Sequence, residues 1–215
     1  MRTLSKQLEV RWKIVSEDPW LTISLDGEDR EVFVELLKRK VAFPPSTLED
    51  VRRWDIFQGY IQSKEVGFGV FVDVGLASKD ALYPLYSIRS QLAEGKQIPV
   101  RQLASEYCLK AGVPVEVQIV QKTDDRLDVQ LSDKWRRMML DWKAQKIDRI
   151  LGLGVSQARL EMAITKTAVR RYIRGLDALT LFNHVVVCRK GTEGPGIIAR
   201  LGRLLRNVPL HLFSS

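Results

Sequence analysis

Between Ile56 and Leu131 the sequence breaks into five short runs of strand-like composition separated by turn residues, and this punctuation constrains the fold more than any other feature. The runs are Ile56 to Ser63, Phe68 to Val74, Ala81 to Ser87, Val113 to Lys122 and Arg126 to Leu131. Glu65 to Gly67 and Thr123 to Asp125 are short enough to be tight connections. Ser90 to Gly112 is long enough to carry a helix between the third and fourth strands. Short strands spaced in this way predict a closed barrel rather than an open sheet.

With a helix between strands three and four, the layout is that of an OB-fold. The flanks read differently. Leu8, Val10, Trp12 and Ile14, then Leu21, Ile23 and Leu25, alternate with the period of half-buried strands, and Asp26-Gly27 marks a turn. Val32, Leu36 and Leu37 continue with helical spacing from about Glu28 to Val41, completing a β-β-α unit that Pro44-Pro45 ends. After the barrel, Trp135, Met138, Met139, Trp142, Ile147 and Leu151 recur at helical steps over residues 132–151, and Gly152 and Gly154 stop that helix. The rest predicts helices at Ser156 to Ile164 and Thr167 to Arg174, a strand Leu181 to Cys188, a glycine-rich loop, a helix Gly196 to Arg206 and a strand Val208 to Phe213. The expected class is a multidomain α+β chain. Residues 1–50 form the β-β-α unit, 51–133 the barrel, 134–151 a linker helix and 152–215 a basic α/β module.

The charge is uneven. Residues 1–50 carry 8 basic and 10 acidic side chains, residues 51–133 carry 10 and 11, and residues 134–215 carry 16 and 5, so the last third holds the whole excess of the net +8. A field so concentrated attracts a polyanion, and without a lipidation motif or amphipathic anchor that polyanion is expected to be nucleic acid. An arginine-rich surface serving stability is the plainer alternative. The apolar runs are far shorter than the roughly 20 residues a membrane span needs, and the expectation is a cytoplasmic protein without a membrane partner. Cys108 and Cys188 with His184 and His211 are too few and too scattered for a zinc cluster, and no metal or other cofactor is expected. His184 and Cys188 share one side of their strand and read as a buried pair. Asp124-Asp125 reads as a hairpin turn.

Gly59, then Phe68-Gly69-Val70-Phe71-Val72, Gly75, Ala81-Leu82-Tyr83-Pro84-Leu85 and Arg126-Leu127-Asp128-Val129-Gln130-Leu131-Ser132 together resemble the RNA-binding repeat of ribosomal protein S-one. That resemblance covers about a third of the chain. It implies an RNA face made by Phe68 and Phe71, by an aromatic residue on the third strand, and by Arg126 at the opening of the fifth. Where the family often has histidine on the third strand this chain has Pro84, so Tyr83 becomes the expected aromatic contact and Tyr60 a further one. Residues three apart on a strand face opposite sides, so Phe68 and Phe71 share a face only if a bulge at Gly69 intervenes; otherwise one ring fills the core. Outward rings would stack on bases with little sequence preference, while Lys64 and Arg126 meet phosphates.

In the basic module, Gly191-Thr192-Glu193-Gly194 followed by Ile197 has the spacing of the loop that clamps a nucleic-acid backbone in KH modules, with Lys190 beside it. Glu193 and Pro195 argue for an ordinary strand-to-helix turn instead. Arg200, Arg203 and Arg206 fall at three-residue steps and form a solvent-facing stripe on the expected helix. The two helices after Gly154 could be a helix-turn-helix presenting Arg170, Arg171 and Arg174 to a DNA groove. No phosphate loop, nucleophile elbow or metal-binding histidine pair is present, so no catalytic residue and no small-molecule substrate are expected. The segment order resembles an archaeal family of unknown function, which implies no activity. The expectation is a non-enzymatic RNA-binding protein associated with ribosomal RNA and ribosomal subunits, including a translation-inhibiting or ribosome-dormancy role. A DNA-binding transcription regulator and a non-catalytic subunit of an RNA-processing enzyme are the alternatives.

Overall fold

The computed structural model describes residues 8–16, 20, 22–38, 43–45, 47–76, 80–123 and 126–214. The chain is mixed α+β. At its start, β1 (Arg11–Ser16) pairs antiparallel with β2 (Thr22–Asp26), and α1 (Arg30–Lys38) follows. Gly27 makes the turn at φ +128°, close against the Glu9 carbonyl, where no side chain fits. Phe33 and Leu37, one turn apart, are the buried stripe of α1.

The barrel comprises β3 (Ile56–Val66), β4 (Gly69–Asp73), β5 (Ala81–Pro84), β6 (Pro114–Lys122) and β7 (Leu127–Leu131). It closes in the order β3-β4-β5-β7-β6, with β5 and β7 parallel and the other pairs antiparallel. This is the strand order of the OB-fold arrangement read from the sequence. Val70, Val72, Val115, Val117, Ile119, Val129 and Leu131 alternate into the interior. The long insertion holds two helices, α2 (Leu85–Leu92) and α3 (Val100–Glu106), whose Ile88, Leu92 and Leu103 join the same core. Strand β5 stops three residues earlier than expected: Pro84 is extended at ψ 150° and cannot donate to a ladder, and Leu85 opens α2 by bonding to the Phe68 carbonyl at 2.7 Å.

Helix α4 (Asp133–Gln145) begins where Ser132 Oγ accepts the Trp135 N–H at 3.2 Å, and ends where Lys146 turns left-handed at φ 50°. The expected helix to residue 151 is therefore corrected. Arg149–Gly152 is a strand, β8, and Arg149 is 3% exposed, bonded to the Trp142 and Ile147 carbonyls and to Gln145. Burial lowers the Arg149 pKa. The remaining elements are α5 (Gln157–Lys166), a single 3₁₀ turn Arg170–Tyr172, β9 (Ile173–Ala178), β10 (His184–Cys188), α6 (Gly194–Leu201) and β11 (Leu210–Phe213). The second helix of the helix-turn-helix reading is absent: Arg170 and Arg171 lie on the 3₁₀ turn and Arg174 on a strand. With no recognition helix, the groove-reading alternative loses its geometry.

The module runs β-α-β-β-α-β, and its antiparallel sheet is ordered β11-β8-β10-β9. This is the ferredoxin-like connectivity. One face, with Ile150, Val186 and Cys188, packs under α5 and α6. The opposite face, with Leu151, Val185, Val187 and Phe213, merges into the barrel's core cluster. Phe213 meets Tyr107 and Trp142 edge-on at 6.3 and 5.3 Å. His184 and Cys188 are both buried; the His184 ring lies 3.0 Å from the Val155 carbonyl.

Candidate nucleic-acid interface

On β4 the alternation is clean. Val70 and Val72 are fully buried, so Phe71 and Asp73 turn outward and are half-buried. Phe68 sits in the two-residue turn between β3 and β4 and is 58% exposed. The rings are brought to the outside without a bulge at Gly69. The irregularity lies on β3 instead, where pairing jumps from Ile61↔Val72 to Glu65↔Val70 opposite Phe71. Gly69 has another task, since a Cβ there would strike the Tyr83 carbonyl. The Lys64 side chain and Asp124-Asp125 lie outside the described residues.

Tyr83 is corrected outright. It is fully buried opposite Val70, and its hydroxyl donates to Gln91 Oε1 at 2.8 Å, while Gln91 also bonds both backbone groups of Leu131. Burial drives its phenol pKa well upward. The exposed aromatic in this neighbourhood is Tyr86, 63% exposed on α2. The signal for it was Pro84, which ends the strand and puts Tyr86 on a helix.

Tyr60 pairs with Asp73 at the opposite end of β4 and is half-buried. Trp20 stands edge-on to its ring at 5.2 Å and donates its indole N–H to Asp73 Oδ2 at 3.0 Å. Burial raises the Tyr60 pKa, with the hydroxyl of Thr180 pulling the other way. This end of the outer face is thus roofed by the amino-terminal segment and by the β9–β10 hairpin. At the other side of the face, Arg126 Nη2 donates to Asp128 Oδ2 at 2.6 Å, and that hydrogen bond raises the Arg126 pKa.

The module gathers its cations at one end of the sheet. Cys188 pairs with Ile173, and the Arg189 N–H bonds the Tyr172 carbonyl at 2.8 Å, so the 3₁₀ turn with Arg170 and Arg171 lies beside Arg189 and Lys190. Arg171 and Arg200 place their guanidinium carbons 4.8 and 5.8 Å from the Tyr172 ring centre. Tyr172 was missed by the sequence reasoning, although the Arg-Arg-Tyr triplet was its signal. Arg170, Arg171, Arg174, Lys190, Arg200 and Arg203 are all exposed. The ion pairs among the described residues all involve positions up to Arg136, so none neutralises this cluster. Arg203 and Arg206 lie past the end of α6, which stops at Leu201, so the expected three-arginine helical stripe is not formed.

The glycine loop is divided. Gly191 is exposed at φ +79° with open space around it. Gly194 is buried, and its N–H donates to Asp148 Oδ2 at 2.8 Å, so an internal carboxylate already answers the amino end of α6. That amide is not free for a phosphate. Among the described residues there is no cluster of three or more side chains able to hold a metal ion, and no helix long and apolar enough to cross a membrane.

Residues 52–143 match the family model described as the DUF2110 central domain, and residues 147–210 match the DUF2110 C-terminal domain. The chain belongs to the DUF2110 family. The DUF2110 central segment spans the barrel and most of α4; the DUF2110 C-terminal segment spans the ferredoxin-like module up to the start of β11. No curated protein matches the chain. Among solved structures, a chain of the a/eIF2alpha-aDim2p-rRNA complex from Pyrococcus horikoshii OT3 is similar at 17% identity with a TM-score of 0.31, over 55% of this chain. The similarity spans 64% of that chain's length.

Proposed function

We propose that the protein is a non-enzymatic RNA-binding protein in which the barrel stacks unpaired bases on Phe68 and Phe71 while the ferredoxin-like module holds phosphates through Arg170, Arg171, Arg189, Lys190 and Arg200. The observation that carries the reading is the outward stance of Phe68, exposed, and Phe71, half-buried, on a closed barrel whose core is filled by other residues. Rings that do not serve the core are available to bases, and a stacked base contributes about 1–3 kcal/mol with little regard to sequence. The cationic end supports the same reading, because arginines that no ion pair among the described residues matches attract a polyanion and release its counterions on contact. Two modules engaging one strand raise avidity through effective concentration.

The partner in this reading is ribosomal RNA, and the role is binding to ribosomal subunits so as to restrain translation in resting cells. Phe68→Ala with Phe71→Ala should weaken binding of a labelled single-stranded RNA about 10- to 100-fold in fluorescence anisotropy while leaving the salt dependence unchanged. Unaltered affinity would remove the barrel from the interface. Sucrose-gradient profiles of growing and resting cells test the ribosomal step: co-migration with subunits is expected, and its absence in both states refutes it.

A further inference from the structure

The outer face of β4, β5 and β7 holds a group that stacking alone leaves unused. Leu127, Val129 and Leu131 fill the barrel interior, so the alternation of β7 turns Asp128 to the outer side. The pairings Phe71↔Leu82 and Leu82↔Asp128 set Phe71 and Asp128 in one row across the sheet. Two strand spacings, roughly 10 Å, separate them. Asp128 is 2% exposed, and its oxygens differ: Oδ2 takes the Arg126 guanidinium, whereas Oδ1 is buried with no hydrogen-bond partner. A carboxylate oxygen in that position calls for a donor. Arg126 is the movable half of the pair, its side chain 59% exposed against 2% for Asp128. Exposed Tyr86 and Phe68 stand nearby on α2 and in the β3–β4 turn, joined by the bond from the Leu85 N–H to the Phe68 carbonyl.

We propose that Asp128 reads a guanine base seated on Phe71, with Arg126 moving from the carboxylate to a neighbouring phosphate as the base arrives. The proposal rests on the RNA-binding reading and adds a base preference to it. Hydrogen bonding is balanced through the exchange: Arg126 gives up a carboxylate oxygen for a phosphate oxygen, and the carboxylate receives the guanine N1–H and N2–H. Guanine fits because its Watson–Crick edge offers two adjacent N–H donors to the two oxygens of one carboxylate. Adenine and cytosine set a ring nitrogen acceptor beside their amino group, and uracil sets its single N–H between two carbonyls, so each of these bases turns a lone pair toward Asp128. A phosphate alone does not open the pair, because withdrawing Arg126 would strand a buried charge.

The test compares binding of the full chain to three labelled eight-nucleotide RNAs: all uridine, uridine with one central guanosine, and uridine with one central inosine, which lacks the 2-amino group. The guanosine strand should bind about tenfold or more tightly than the other two. Asp128→Asn should abolish that preference, with a thermal melt checking that the variant is folded; the inosine comparison needs no variant at all. Equal affinity of the native chain for guanosine and inosine strands overturns the proposal while leaving RNA binding intact. Failure to bind any of the three overturns both readings. Equal weakening of all three strands by Asp128→Asn would make Asp128 a positioning residue for Arg126 and overturn base reading. Free guanosine monophosphate competing as well as the guanosine strand would assign the pocket to a nucleotide rather than RNA.

Discussion

The barrel and the ferredoxin-like module both present a β-sheet, but they use its faces in opposite ways. In the barrel the interior is packed and part of the outer face stays open, carrying Phe68, Phe71 and, beside them, Tyr86, while some of its charges are matched, as in Arg126–Asp128 and Lys134–Glu116. In the module both faces of the sheet are covered, one by α5 and α6 and the other by the barrel's own core cluster. What remains available there is the rim, where loops carry cations that no ion pair among the described residues matches. The lesson is that sheet coverage selects the kind of contact: an open face offers stacking, a covered one leaves only charge.

The sharpest way to break this contrast is to reverse charge on the module. Arg170→Glu, Arg171→Glu and Arg200→Glu together should lower affinity for single-stranded RNA more than 100-fold at low salt. They should also flatten the log–log salt dependence by about 2, at roughly 0.7 for each phosphate no longer neutralised. Retained affinity with an unchanged slope would place the phosphate grip elsewhere. A smaller effect separates loop from rim. Gly194→Ala puts a Cβ against Leu212 and should cost about 1–3 kcal/mol in denaturant unfolding, with RNA affinity of the folded protein unaltered. A drop in affinity at full stability would instead make the glycine loop a phosphate clamp.

The smallest expected effect probes the seam between the two regions. His211 on β11 is half-buried, and burial first, then Lys110, lower its pKa below the usual 6.5, with the Ala111 backbone acting in the other direction. The folded state therefore binds fewer protons than the unfolded one in the window below pH 6.5. Stability should be full above that pH and fall as the pH drops through the window. His211→Gln should flatten the decline in urea titrations between about pH 7 and 5; an identical slope would show that the seam does not sense this proton.

The barrel was readable because its strands bury one side and expose the other, so period-two patterns and turn residues coincide. Reading failed where that asymmetry vanished. All four residues of β8 and of β5 are buried, so β8 resembled the end of a helix and Tyr83 a surface ring. Strand β9 lies at the edge of its sheet with mostly exposed or half-buried residues, and Arg170-Arg171-Tyr172 before it suggested a helix. Of the candidate site, Phe68, Phe71, Arg126 and the module's arginines were visible as residue types at suggestive spacings. Asp148 beneath Gly194 was not, because 46 residues separate partners that only the folded sheet brings together.

If RNA binds as proposed, Trp20, laid across Tyr60 and tied to Asp73, shortens the track along which a strand can run over the barrel. A ligand entering by way of the β3–β4 turn meets a wall one strand-length later. The footprint of this barrel should then fall at the low end of the roughly 4 to 16 nucleotides that such folds occupy, and a longer oligonucleotide would gain affinity only by bending away toward the cationic rim.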